Sequence, residues 1–224
     1  MENFTDLKVY EFNINRVKSV KYLGMHIDEK LKWDEHVNNL CSTLSRNFPM
    51  FYSIRNHLTN NLKKQLYFSM VYSRIIYGIV LYGVCRSSLL NKVQVLQNKL
   101  IKVLYKLPYR TDTDALHSNL DILKVKDICK YQIQKFVYES VNKTCITQFH
   151  NYYKNTHNEH NMDTRQENLL YTRIPKTKYG EYSLKHYGAD LWNSLNQSIK
   201  QKESLLTFKK ALRQSIIESY NINN

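Results

Sequence analysis

The sequence predicts a mainly α-helical protein, a helical bundle with a short β element at its N-terminus and a helical extension at its C-terminus. Three observations carry this expectation. In a chain of 224 residues, 42% apolar content is enough to fill a core. Five Gly and three Pro, set against many Leu, Ile, Lys, Gln and Asn, leave helix as the least costly conformation for most of the chain. Apolar residues also recur at helical spacing from Val37 onward, whereas the segment before it alternates.

Residues 17–28 place Val17, Val20, Tyr22, Leu23, Met25 and Ile27 among polar neighbours at close to period two, with Gly24 in their midst. This reads as one strand or a small hairpin. Two strands alone are marginal in water, so the element must pair with or lie on something else. Asp34 then reads as an N-cap, with Val37, Leu40, Cys41, Leu44 and Phe48 on one stripe before Pro49 interrupts it. A second helix starts at Thr59 and runs through Leu62, Leu66 and Met70 to Gly78 and Gly83. Its run 66–84 is almost long enough to span a membrane. Arg74 at the centre would cost about 2.5–3.5 kcal/mol there. Tyr67, Tyr72, Tyr77 and Tyr82 are also spread along the run where interfacial anchors would sit at its ends, so a helix buried among helices is expected, with no membrane as partner.

Ser87 or Ser88 starts a third helix that ends at Leu107 before Pro108. Its inward face is predicted to be Val93, Leu96, Leu100, Val103 and Leu107. Residues 113–142 read as a short turn and a further helix through Ile128, Tyr131 and Val137. From Asn142 to Asn168 the composition turns to Asn, Thr, His and Tyr without period, which suggests a long polar connection. Ser183 and Ser204 then start the last two helices, the first with Leu184, Tyr187, Leu191, Trp192 and Leu195 inward, the second with Leu205, Phe208, Leu212 and Ile216. The expected division is 1–33 for the strand or hairpin, 34–142 for a basic helical domain, 143–182 for the connection and 183–224 for a C-terminal helical pair.

The charge distribution says more than the net +14. Between His36 and Thr111 there is no Asp or Glu, while Arg46, Arg55, Lys63, Lys64, Arg74, Arg86, Lys92, Lys99, Lys102, Lys106 and Arg110 fall inside that stretch. A field of one sign repels itself unless a polyanion neutralises it, and nucleic acid is the commonest polyanion. On the third helix Lys92, Lys99, Lys102 and Lys106 gather on a face beside the apolar one. Solvated helix faces also carry lysines. They ordinarily mix Glu with them for i, i+4 support, and here there is no acid at all.

Little else points to chemistry. There is no Asp-Asp pair, and Asp28-Glu29 and Asp34-Glu35 sit at a strand end and a helix start, where solvation and capping account for them. Cys145, His150, His157 and His160 lack the close-paired spacing of a zinc site, and five glycines supply no phosphate loop. The expectation is no metal, no cofactor and no catalytic residue. Cys41, Cys85, Cys129 and Cys145 are scattered, and Met1 is not followed by a signal segment, so a reduced, intracellular protein is expected, nuclear or cytoplasmic.

The stretches "VKYLGMHIDEKLKWDEHV", "LYFSMVYSRIIYGIVLYG" and "LQNKLIKVLYKLP", followed by "TRQENLLYTRIPKTKYGEYSLKHYGADLWNSL" and "SLLTFKKALRQ", resemble the C-terminal third of reverse transcriptases from LINE-type, non-LTR retrotransposons. The resemblance spans roughly residues 17–215. It implies that Lys21, Tyr22, Leu23 and Gly24 correspond to the palm-to-thumb junction, near the primer end. It implies too that the helices after Asp34 are a thumb that holds template and primer by their backbone. The strand at 17–28 would then be the edge of a palm sheet supplied by an upstream palm domain, an expected partner alongside RNA, DNA or an RNA–DNA hybrid. The family's catalytic aromatic-x-Asp-Asp loop lies upstream of the Tyr-Leu-Gly block and is absent from this sequence, so the chain is expected to be no enzyme on its own. Asn196 stands where the family usually has Pro, and Tyr82 where Trp commonly precedes Gly83. Two functions follow as expectations. One is a non-catalytic nucleic-acid-binding fragment, with Lys63, Lys64, Arg74, Arg86, Lys92, Lys99, Lys102, Lys106 and Arg110 on phosphates. The other is a helical protein-interaction module that docks on a polymerase core.

Overall fold

Two antiparallel hairpins open the structure where the sequence predicted one: β1 (Leu7–Val9) with β2 (Phe12–Ile14), and β3 (Ser19–Tyr22) with β4 (Met25–Asp28). The computed structural model describes residues 7–154, 169–172 and 174–222. Tyr22 pairs with Met25, so the loop is Leu23-Gly24 alone. Both loop residues take positive φ, 46° and 81°, the twist a two-residue hairpin loop needs.

The Asp28 carboxylate at the end of β4 accepts from the backbone N–H groups of Lys30, Lys32 and Trp33 at 3.1, 3.0 and 2.8 Å. Burial works against its charge, but these donors hold its pKa below the ordinary value. The chain is thereby steered into helix α1 (Asp34–Ser45). Trp33, at φ 66°, occupies the cap position expected of Asp34, and Asp34 lies inside the first turn. The reason is a competing partner: both Asp34 carboxylate oxygens accept from one Arg86 nitrogen at 2.8 Å.

Helix α2 (Asn47–Ile54) follows at once and tolerates Pro49 because a first-turn N–H has no helical acceptor to lose. Thr59 caps α3 (Asn60–Tyr67), its hydroxyl accepting from the Leu62 N–H. The apolar run is then no single rod. It passes through a π-helical turn (Phe68–Tyr72) into α4 (Ser73–Ile76), breaks at Gly78, and resumes as α5 (Ile79–Tyr82). Among the described residues no helix is long and apolar enough to cross a membrane.

Helix α6 (Ser87–Tyr105) runs through the centre, against α1, α2, α3 and α8. Its buried face is Leu89, Leu90, Val93, Gln97, Leu100, Ile101 and Leu104. Leu96, Val103 and Leu107, expected inward, are half-buried, because a polar Gln97 occupies the core position instead. Its amide donates to the Tyr67 hydroxyl at 2.8 Å and the Leu123 carbonyl at 2.9 Å, so no polar atom there goes without a partner.

Residues 113–142 hold two helices, not a turn and one helix: α7 (Thr113–Leu120), capped by Asp112, and α8 (Val125–Val141). Lys124 provides α8 with no side-chain cap, and Gln94 of α6 accepts the first N–H, that of Val125, at 2.7 Å. The segment after α8 has a 3-10 turn (Thr147–Phe149), where Phe149, Tyr152 and Tyr153 pack edge-on around Phe136. Among the described residues four C-terminal helices follow: α9 (Lys178–Glu181), α10 (Leu184–Asn193), α11 (Gln197–Lys200) and α12 (Leu205–Ile222). Ser183 caps α10, and Ser204 accepts from the Thr207 N–H at the start of α12, both as expected.

The two departures from the family pattern are accommodated. Asn196 has φ −62°, the angle a proline would fix, and its side chain caps α11 through the Ser198 N–H. Tyr82 is wholly buried, with its hydroxyl donating to the Ile75 carbonyl. Among the described residues one apolar core runs from Met25 to Leu212. The C-terminal helices close it: Tyr138 of α8 stacks on Phe208 of α12 with ring centres 4.3 Å apart.

Candidate nucleic-acid interface

Helix α6 carries the cations, and its neighbours decide which of them face solvent together. At its N-terminus Arg86 is held by Asp34, as above. Lys92 lies exposed on the side that carries α1, where its charge acts on the Cys41 thiol, opposing the larger effect of burial. About two to four turns further on, Lys99, Lys102 and Lys106 come together with Arg55, the residue that ends α2, around a cleft of 430 Å³, whose other walls are Phe48, Val103, Leu107 and Tyr109. Among the described residues no carboxylate lines it.

The local backbone builds this cleft. Lys106 takes the left-handed conformation (φ 57°) and ends α6, with the Leu107 N–H turning back to the Lys102 carbonyl at 2.9 Å. The chain is thereby sent sideways through Pro108 to Tyr109. The Lys102 ammonium fixes that turn by donating to the Tyr109 carbonyl at 2.8 Å. Across the cleft the Arg55 guanidinium lies 3.8 Å over the Tyr52 ring, and its buried Nε–H has no acceptor among the described residues. Tyr52 is 63% and Tyr109 81% exposed, so two aromatic faces flank the cations.

The remaining residues expected at phosphates are placed differently. Lys63 is only 8% exposed, with its ammonium 5.7 Å from the centre of the Tyr105 ring. Lys64 forms an ion pair with Asp121 at 3.3 Å, and Asp121 also receives Arg213 of α12 at 3.1 Å. Those two charges serve the junction of α3, α7 and α12. Arg74 on α4 and Arg110 after the cleft turn are exposed. Lys21, Tyr22, Leu23 and Gly24 form the exposed tip of the β3–β4 hairpin, tied to the body by the Tyr77 hydroxyl, which donates to the Leu23 carbonyl.

Of the cysteine–histidine group, His157 and His160 lie outside the described residues, and His150 Nε2 stands 2.8 Å from the Cys145 carbonyl. Among the described residues no group of three or more His, Cys, Asp or Glu could hold a metal ion. Sequence reasoning left Arg55, Tyr52 and Tyr109 out of the site. Arg55 stood in the acid-free stretch and so carried a signal; the tyrosines became legible only once α2 and the turn after α6 were in place.

The RNA-directed DNA polymerase from mobile element jockey of Drosophila melanogaster is 28% identical over 127 residues, which cover 55% of this chain and 14% of that protein. This chain is similar to RNA-directed DNA polymerases of mobile elements. The jockey polymerase of Drosophila funebris is 25% identical over 126 residues, again 55% of this chain and 14% of the relative. A probable RNA-directed DNA polymerase from transposon BS of D. melanogaster is 25% identical over 117 residues, 51% of this chain and 13% of the relative. The resemblance to non-LTR retrotransposon reverse transcriptases read from the sequence is therefore shown. The matched stretch is about a seventh of the length of these polymerases. No protein-family profile matches the chain. No solved structure matches it.

Proposed function

We propose that this chain binds nucleic acid by its backbone phosphates, without sequence readout and without a reaction of its own, as a thumb-like part of a retrotransposon RNA-directed DNA polymerase. The observation that carries the reading is the cleft where Arg55, Lys99, Lys102 and Lys106 converge with no carboxylate among the lining residues. Four cations that share one surface repel each other, and a phosphate strand relieves this by releasing its own counterions. The mobile-element relatives support a template–primer hybrid as the partner, since each is named as a polymerase directed by RNA that makes DNA. Arg110 follows Tyr109 beside the cleft, Lys92 and Arg74 are exposed away from its lining, and Lys63 and Lys64 contribute to the fold. The four free thiols fit a reducing, intracellular setting.

A second reading has its own observation. Val20, Tyr22 and Leu23 of the β3–β4 hairpin are exposed apolar residues, and among the described residues no strand pairs with the outer edge of β3. A palm sheet from an upstream domain would cover both, with the chain then acting chiefly as an interaction module. The joint substitution Lys99→Glu and Lys102→Glu separates the two readings. Affinity for an RNA–DNA hybrid, measured by fluorescence anisotropy, is expected to fall by about tenfold or more with the helical circular dichroism unchanged. Unchanged affinity would remove the phosphate reading and leave the interaction module.

A further inference from the structure

The cleft is smaller and more aromatic than a surface that only tracks duplex phosphates needs to be. Its 430 Å³ is in the range of small-ligand pockets, about 300–1,000 Å³. The cations stand inside it, while Tyr109 rises at its rim, 81% exposed, and Tyr52 lies behind Arg55. In a duplex the π-faces of the bases are stacked on one another and out of reach, so a rim tyrosine could touch only sugar and phosphate. In a single strand each base has a free face, and a basic groove edged by aromatic rings is the arrangement that takes it.

We propose that the cleft seats an unpaired stretch of nucleic acid, with a phosphate among Arg55, Lys99, Lys102 and Lys106 and the adjoining base stacked on Tyr109. This rests on the phosphate-binding reading above and goes beyond it in naming the form of the strand. Arg55 is suited to the phosphate: it lines the cleft, and its planar guanidinium is already ordered by stacking on Tyr52 at 3.8 Å. Lys102 is committed through one proton to the Tyr109 carbonyl and keeps two for the ligand. The same bond fixes Tyr109 at the rim.

The test compares a fluorescein-labelled single-stranded RNA of about 12 nucleotides with the same RNA in an RNA–DNA hybrid, on the full chain at low salt. The single strand is expected to bind the more tightly. Tyr109→Ala is expected to weaken single-strand binding about tenfold and to change hybrid binding less than about twofold, with Tyr109→Phe restoring it, as stacking requires. The side chain of Tyr109 is on the surface and its carbonyl survives the substitution, so folding is not at issue. If Tyr109→Ala weakens both ligands equally or neither, while Lys99→Glu with Lys102→Glu still abolishes binding, the single-strand proposal falls and the phosphate reading stands. If the charge reversal too is without effect, both fall.

Discussion

The imidazole of His117 is wholly buried between α6 and α7. Its Nδ1–H donates to the Ile122 carbonyl at 2.8 Å, and its Nε2 stands 2.9 Å from the Asn98 side-chain oxygen and 3.4 Å from the Gln94 amide nitrogen, in a polar network that ties α6 to α7 and, through Val125, to α8. Burial drives its pKa down to about 4, against smaller opposing effects that include the Ile122 hydrogen bond and the charges of Asp114 and Asp127. In the unfolded chain a histidine titrates near 6.5. Between about 6.5 and 4 the unfolded state therefore binds more protons than the folded one, and stability is complete above that window and lost as pH falls through it. Urea unfolding followed from pH 7.5 to 4.5 should show a loss approaching about 3 kcal/mol. His36, whose pKa is also lowered by burial and by His26, adds in the same direction. His117→Gln should start from lower stability and lose most of this slope; parallel falls in the two proteins would contradict the assignment.

At the level of elements, the β3–β4 hairpin meets the helices at Gly78. This residue adopts φ 69°, and a Cβ placed on it would lie 2.4 Å from the Met25 sulfur. Gly78→Ala thus combines backbone strain with a contact that must be relieved, for a cost of about 1–3 kcal/mol. Limited proteolysis should then cut first near residues 23–32, ahead of any cut in α6. If the variant is cut no faster there than the parent, Gly78 is not what seats the hairpin. The hairpin and the helix starts at Thr59, Ser183 and Ser204 were legible in the sequence because each depends on its own neighbours: an alternating run, or a hydroxyl at a cap. What was not legible depends on distant partners. Asp34 left its cap role for Arg86, Gln97 entered the core because Tyr67 and Leu123 receive it, and the run from Thr59 was divided by a π-helical turn that no periodicity announces. Tyr152 and Tyr153, read as part of a polar connection, pack on Phe136 because tyrosine counts as polar in composition and as aromatic in packing.

Over the whole molecule, the net charge of +14 is not spread evenly, and its sorting follows from the fold. Where α3 and α12 meet α7, Asp121 answers Lys64 and Arg213, and beside them Lys124 reaches Asp114 at 2.7 Å. Where α2 meets the end of α6, four cations share one cleft with no acid among the described residues. The sequence showed that the stretch from His36 to Thr111 holds no carboxylate, but it could not show which cations acids from elsewhere in the chain would neutralise. The central claim is that this cleft is a phosphate site, and the salt dependence of binding tests it most directly. Four neutralised phosphates predict a loss of affinity for an RNA–DNA hybrid on the order of 100-fold between about 50 and 200 mM monovalent salt, and a distinctly shallower dependence for the chain carrying Lys99→Glu, Lys102→Glu and Lys106→Glu. A wild-type affinity that stays within about threefold across that range would contradict it.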